Sequence, residues 1–379
     1  MKPQILKDFK SLVFPLAILC NTTIGIGMFS LPYVASKIGL PLMALYFSVL
    51  VFVVYQIHSM FAQVALKTPD YKRLPGFAKY HLGLTAEIVV SACVITGIIG
   101  SMVAFMAIGG EFLYNLAPSW LGLDITYCGI LYLLAASLLV FLGINLVQKV
   151  EFWGLILFFF VLVIMLFKAM PGFSWQNLGT QTGGLKDFFL PYGPLLFSLW
   201  GASSIPEVEE MLARRRKKKF LPLLILMSCA IAAAVYLIFT LFVVGITGSF
   251  TTESALIGFG HFFGDDLLNL MFAFGLVTTF TSFVIGGLTL KKILHYDLGV
   301  SKTGAWLVAT IAPLLLFIAG LNNFLAILSF IGGVMLGIEG IIILMIYNKV
   351  APRKKFIIYP LGIIFALGIF YEIYYFLKF

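Results

Sequence analysis

The chain has 379 residues, 61% of them hydrophobic and 11% charged, with a formal net charge of +9. Soluble domains carry about half apolar and about a quarter charged residues, so this composition excludes a soluble fold and leaves one transmembrane domain across residues 1–379. The basic residues sit in short connections between apolar segments, which excludes the basic face of a folded nucleic-acid-binding module.

Lys2, Lys7 and Lys10 followed by an apolar run imitate a secretory leader. No small-x-small cleavage site follows, and Leu19 is too bulky for lipoprotein-type cleavage before Cys20. The run reads as a retained first span. Cys20, Cys93, Cys128 and Cys229 all fall in apolar segments, with no CxxC spacing and no disulfide framework.

A membrane-spanning helix needs roughly 20 mostly apolar residues. Eleven segments qualify: 11–38, 40–66, 86–116, 124–147, 150–170, 188–212, 220–247, 265–293, 302–320, 322–347 and 356–377. With the N-terminus inside, 21 of the 25 basic residues fall on the cytoplasmic side, and only Lys37, Lys168, Lys186 and Lys378 lie elsewhere. That bias fixes the expected orientation: a multi-pass cell-membrane protein, N-terminus cytoplasmic, C-terminus outside. The run Arg214–Lys219 is then a topological anchor.

The first segment is interrupted. Cys20-Asn21-Thr22-Thr23-Ile24-Gly25-Ile26-Gly27 places an amide, two hydroxyls and two glycines at mid-depth. Such residues are costly in hydrocarbon unless the helix breaks and lines a cavity. A break frees N–H groups on one half-helix and C=O groups on the other, suited to an anion and a cation respectively. The plainer alternative is a glycine kink used for close helix packing. Between the second and third segments, Thr68–Leu84 contains a short amphipathic helix around Pro75–Tyr80.

The sixth segment is interrupted too. Apolar helix meets Trp200-Gly201-Ala202-Ser203-Ser204, then Ile205-Pro206 and a charged stretch. Proline in a first turn needs no N–H partner, so Pro206 starts an inner half-helix. Segments one and six are five apart, so segments 1–5 and 6–10 run in opposite senses. Two five-span inverted repeats, each opening on a broken helix, form the LeuT-type plan. The first repeat covers 11–170, the second 188–347, and an eleventh helix at 356–377 lies outside both. The connector Gly248–Gly264 either covers an outer vestibule or is an ordinary loop.

The run Asn21–Pro32 resembles the first-span motif of the amino acid/auxin permease family and of the bacterial hydroxy and aromatic amino acid permeases. Its Thr-Thr-Ile-Gly-x-Gly-Met core is most similar to the aromatic permeases. Ser198–Pro206 resembles their broken sixth span, Thr281-Ser282-Phe283 their eighth, and Ser329–Gly333 their tenth; Gly109-Gly110-Glu111 resembles the end of the third. The resemblance implies secondary active transport of amino acids, driven by sodium or protons, with no other cofactor. The read-out is a monomeric symporter that imports a neutral, hydrophobic or aromatic amino acid by alternating access. Covalent chemistry is not required.

The residues agree with that implication. A substrate carboxylate needs desolvated N–H donors, which Thr22, Thr23, Gly25, Ile26 and Gly27 surround. Its ammonium needs acceptors, which Ser198, Gly201, Ala202 and the carbonyls from Leu199 onward supply. Trp200 lines or gates the side-chain pocket, or simply packs. Neither break holds an unpaired acid, against a strongly cationic substrate.

A sodium ion wants several hard oxygens; Asn21, Thr22, Ile24, Thr281 and Ser282 are the candidates. Aromatic permeases tend to carry glycine where Asn21 stands, so this departure favours sodium. The proton alternative needs a titratable group at depth: Glu339 first, then His58. A channel or non-transporting sensor on the same scaffold is the rival reading. An intramembrane enzyme is disfavoured, because His58, His81, His261 and His295 are far apart and no HExxH occurs.

Overall fold

The computed structural model describes residues 2–69, 73–117, 121–142, 159–179, 183–184, 187–214, 216–351 and 355–377, with side chains from Leu12 onward, Asp297 excepted. The sequence-predicted positions 143–158 and Lys72, Lys186, Arg215, Arg353, Lys354 and Lys378 lie outside the described residues, as do the side chains of Lys2, Lys7 and Lys10.

The described chain is helical, with no strand among those residues. α1 (Lys2–Thr23) and α2 (Gly27–Ile38) form the first segment, bent by 52° at the break. Next come α3 (Leu40–Lys67), α4 (Leu74–Leu82), α5 (Leu84–Leu116) and α6 (Ile125–Leu142). A shorter apolar helix, α7, spans Phe159–Gly172. The sixth segment is α8 (Tyr192–Leu199), then a 3-10 turn at Ala202–Ser204, then α9 (Ile205–Arg214). α10 (Leu221–Thr247), α11 (Asp265–Lys292) and α12 (Lys302–Ile318) follow. α13 (Phe324–Phe330) runs through a π turn at Ile331–Met335 into α14 (Leu336–Val350), and α15 (Lys355–Leu377) closes the chain.

Among the described residues, seven helices are long and apolar enough to cross a membrane, and the bent α1–α2 pair makes an eighth. α7 and α12 are shorter, and the sixth segment is two short helices rather than one. The eleven predicted segments therefore each meet helix where described, but not all as uninterrupted spans. The predicted amphipathic helix is α4. It starts on Pro75 in its first turn, where the missing N–H costs nothing. Gly83, at φ +97°, lets α4 turn into α5 with no connecting loop.

Packing divides the apolar side chains into two groups. One holds Met102, Val103 and Met106 of α5, Tyr132 and Ala136 of α6, Phe283 and Leu288 of α11, and Ala305 and Ala309 of α12. The other gathers residues of α1, α2, α3, α8, α9, α10, α14 and α15, including Met28, Phe29, Leu195, Ile205 and Phe239. α5 joins the second group as well, through Val90, Ala104, Ile108 and Phe112, and α11 through Met271, Phe272 and Phe274. Phe29 meets Phe112 edge-on at 5.5 Å and Phe239 at 6.1 Å, and Phe112 lies 6.1 Å from Phe272. Edge-to-face aromatic pairs add about 0.5–1.5 kcal/mol each beyond burial, so the two Phe29 contacts fasten α2 to α5 and α10 within the second group. The connector 248–264 packs on the helices as well, with Ala255, Leu256 and Phe259 wholly buried.

Candidate functional site

The two breaks cross each other. A Cβ added to Gly27 would strike Ser198, and one added to Gly201 would strike the Thr23 hydroxyl. Glycine at both positions is what lets the half-helices touch. Gly25 has no atom within 4 Å of where its Cβ would stand, so the first break is open on that side.

Tyr236 of α10 sits in the crossing. Its hydroxyl accepts from the Gly25 N–H at 3.1 Å. Its single hydrogen serves the Thr23 carbonyl at 2.6 Å, with the Ser198 carbonyl at 3.0 Å the second acceptor in reach. One phenol therefore ties both breaks to α10. The Gly25 N–H, a donor expected to be free, is thereby occupied. Among the described hydrogen bonds, the Ile26 and Gly27 N–H groups and the Leu199 and Trp200 carbonyls have no partner. Those are the donors and acceptors that remain at the two breaks.

The second break is held from the other side. The Gly201 N–H donates to His58 Nε2 at 3.3 Å, so that nitrogen carries the lone pair and Nδ1 the hydrogen, facing Cys229 Sγ at 3.9 Å. Trp200 Nε1 donates to Glu339 Oε2 at 3.3 Å, and its ring meets His58 edge-on at 5.5 Å. His58 is 3% exposed and Glu339 8%. The two intramembrane titratable candidates thus converge on adjacent residues, Trp200 and Gly201. Ala202 is buried and Ser203 is exposed.

The hydroxyls turn inward along their own helices. Thr22 donates to Ile18 O, Thr23 to Leu19 O and Ser198 to Pro194 O. On α11, Thr281 donates to Val277 O or Thr278 O, and Ser282 to Thr278 O. Each oxygen keeps lone pairs for a cation. Yet no described hydrogen bond joins Thr281 or Ser282 to Asn21, Thr22 or Ile24. α1 packs on α10 and α9, and α11 on α5, α6 and α12. Asn21, Thr22 and Ile24 on one side and Thr281 and Ser282 on the other thus belong to helices with different principal neighbours. Asn21 is half-buried and Thr22 exposed.

On the N-terminal face, Glu207 approaches Arg73 at 3.9 Å, in the connection before α4 rather than in a span. Lys218 pairs with buried Glu209 at 2.7 Å, and Arg214 with Glu210. His81 of α4 meets the Thr68 hydroxyl at 2.8 Å, and its carbonyl accepts from Lys349 at 2.8 Å. Burial, and then the Lys349 charge, hold the His81 imidazole below its usual range.

Tyr236 was missed by sequence reasoning. A tyrosine inside an apolar span reads as packing, and the one signal available was its place at mid-depth in segment seven.

Similar proteins share this architecture. A manganese transporter from Eremococcus coleocola, solved with an aromatic bis-isothiourea compound, aligns over 95% of this chain and 86% of its own, at 15% identity and TM-score 0.67. MhsT in complex with L-phenylalanine aligns over 95% and 97%, at 14% identity and TM-score 0.66. Mhp1, a nucleobase-cation-symport-1 family transporter solved closed with bromovinylhydantoin, aligns over 87% and 76%, at 14% identity and TM-score 0.64. Comparison with curated proteins finds no match.

A broken first span crossing a broken sixth, on this fold, is the architecture of the LeuT-type membrane transporters, not of an enzyme. The tryptophan/tyrosine permease family pattern matches residues 9–374. The chain belongs to that family and is a multi-span membrane transporter for amino acids.

Proposed function

We propose that this permease imports an aromatic amino acid by cation-coupled symport, with L-tryptophan and L-tyrosine as the first substrates to test. The observation that carries the reading is the juxtaposition of unpartnered Ile26 and Gly27 N–H groups with unpartnered Leu199 and Trp200 carbonyls at one helix crossing. A zwitterion presents an anion and a cation about one carbon apart, and the crossing offers a partner for each. Trp200 lies beside them to meet the ring. The family description and the phenylalanine complex of MhsT both support an aromatic side chain.

Alternating access follows from the two packing groups. The group containing both broken helices moves against α5, α6, α11 and α12. The Phe29–Phe112–Phe272 contact closes the outer side, while exposed Thr22 and Ser203 look inward. Two five-span inverted repeats, with α15 outside them and both orientations as the loop charges require, complete the reading. The protein acts as a monomer.

Sodium is the first choice of coupling ion. Its ligands would come from Asn21, Thr22 and Ile24 on one body and Thr281 and Ser282 on the other, so ion binding would draw the two bodies together. The proton reading places coupling on Glu339 and His58, which hold Trp200 and Gly201.

The test is uptake and counterflow of radiolabelled L-tryptophan and L-tyrosine in proteoliposomes, under a sodium or a proton gradient. Accumulation and counterflow are expected, with accumulation lost when the sodium gradient is removed. Binding without counterflow, or flux without saturation, would replace the carrier with a sensor or a channel.

A further inference from the structure

α15 lies outside the ten segments of the proposed repeats, yet it places an acid, Glu372, at 1% exposure. The side chain wedges between α8 and the π turn Ile331–Met335. A Cβ on Gly193 would stand 2.7 Å from Glu372 Oε1, and one on Gly333 would strike the Glu372 side-chain carbons. Directly beside the carboxyl, the backbones of Gly193 and Gly332 are in contact, since a Cβ on Gly332 would overlap the Gly193 carbonyl. Next to Gly193, the Tyr192 hydroxyl is buried with no hydrogen-bond partner among the described residues. It fits against Gly368, one turn before Glu372.

No Lys, Arg or His pairs with Glu372 among the described residues. The groups that face it are Tyr192 on α8 and Tyr371 and Tyr375 on its own helix. Asp187 beyond those tyrosines and Glu339 farther along α14 are acids too. A carboxylate in such surroundings has no counter-ion among the described residues and only phenol hydroxyls to face it, and burying one is costly. Acids inside membrane spans are rare and serve ion or proton pathways.

We propose that Glu372 is a proton-binding site which, when protonated, seats α8 against the π turn. Losing the proton leaves a charge that must draw in water or turn a phenol hydroxyl toward it, and parting α8 from Gly332 and Gly333 makes room for that. α8 is only eight residues long and ends at Trp200, so that movement reaches the break directly. The proton site stands on its own geometry; its consequence for transport rests on the carrier reading above.

The test uses the full chain in lipid nanodiscs without substrate. Infrared difference spectra across a pH jump report protonated carboxyls. We expect a protonated-carboxyl band at neutral pH that E339Q keeps and E372Q loses. The unfolded chain gives up that proton at lower pH, so wild-type thermal stability falls as pH rises through the deprotonation. E372Q, a neutral isostere, is expected to hold a pH-independent melting temperature over that window. If E372Q does not fold, E372D moves the carboxyl by one methylene and shifts the band and its titration midpoint. A spectrum unchanged in E372Q or in E372D, or an E372Q melting curve that tracks pH like wild type, overturns the proposal. Neither readout involves amino acid binding, so failure here is distinct from failure of counterflow.

Discussion

The Tyr236 hydroxyl donates to the Thr23 carbonyl at 2.6 Å, from a helix more than 200 residues further along the chain. The same oxygen accepts from Gly25 and has Ser198 in reach, so it substitutes for the helical hydrogen bonds that the two breaks forgo. Y236F keeps the ring and removes the bridge. Stranding buried backbone groups costs about 1–3 kcal/mol, so half-saturation for substrate should rise roughly 5- to 160-fold. Uptake kinetics at wild-type expression levels measure this; an unchanged half-saturation would mean the bridge is incidental.

The glycines of the first break should differ sharply. G27A drives a methyl into Ser198, while G25A meets open space. G27A is expected to abolish uptake and lower the melting temperature. G25A should fold normally, and any loss should appear in substrate affinity alone. The double variant G27A/S198G should recover part of the stability, because it removes the struck side chain. Equal damage from G25A and G27A would contradict the observed crossing.

Glu339 separates the coupling readings. E339Q retains an oxygen to accept from Trp200 Nε1, whereas E339L does not. With sodium coupling, E339Q should sustain sodium-driven accumulation and E339L should lose affinity by about 1–3 kcal/mol. With proton coupling, E339Q should still exchange substrate but fail to accumulate it under a proton gradient. Parallel counterflow and gradient-driven uptake distinguish the two.

Access can be read by cysteine labelling, since all four native cysteines are buried. T22C and S203C should react with a membrane-impermeant maleimide from the N-terminal face and be shielded from the opposite one. Adding F112A, which removes the aromatic closure, should open labelling from the far side. T22C labelling from both faces without F112A would contradict a closed aromatic layer.

His81 sets an acid limit on stability. Its imidazole is held neutral in the fold by burial and by the nearby Lys349 charge. The unfolded chain binds that proton more readily, so stability is present above the unfolded value of about 6.5 and declines as pH falls below it. Melting temperature should drop between about pH 7 and about pH 5, and H81Q should flatten that slope. An identical slope in H81Q would assign the acid sensitivity elsewhere.

Much of this architecture was legible in the residue order. The hydroxyl and glycine cluster Thr22–Gly27 pointed to a break or a kink in the first span, and the structure bends there by 52°. Ile205-Pro206 marked the start of α9, and Pro75 the start of α4. The acids Glu209 and Glu210 met the basic run beside them. These are local consequences of backbone chemistry and nearby charge.

Membership of a polytopic helical membrane fold, and the two places where a span breaks or kinks, were legible in the sequence alone, because polar and glycine-rich stretches are costly in hydrocarbon unless the helix is interrupted or packed against protein. Which groups meet across those stops was decided only by the tertiary structure. Tyr236 reaching Thr23, His58 holding Gly201, Glu339 holding Trp200 and Glu372 resting on Gly193 join helices far apart in the chain. Such contacts depend on how helices cross and rotate against one another, and those angles emerge from the packing of whole faces rather than from any one segment.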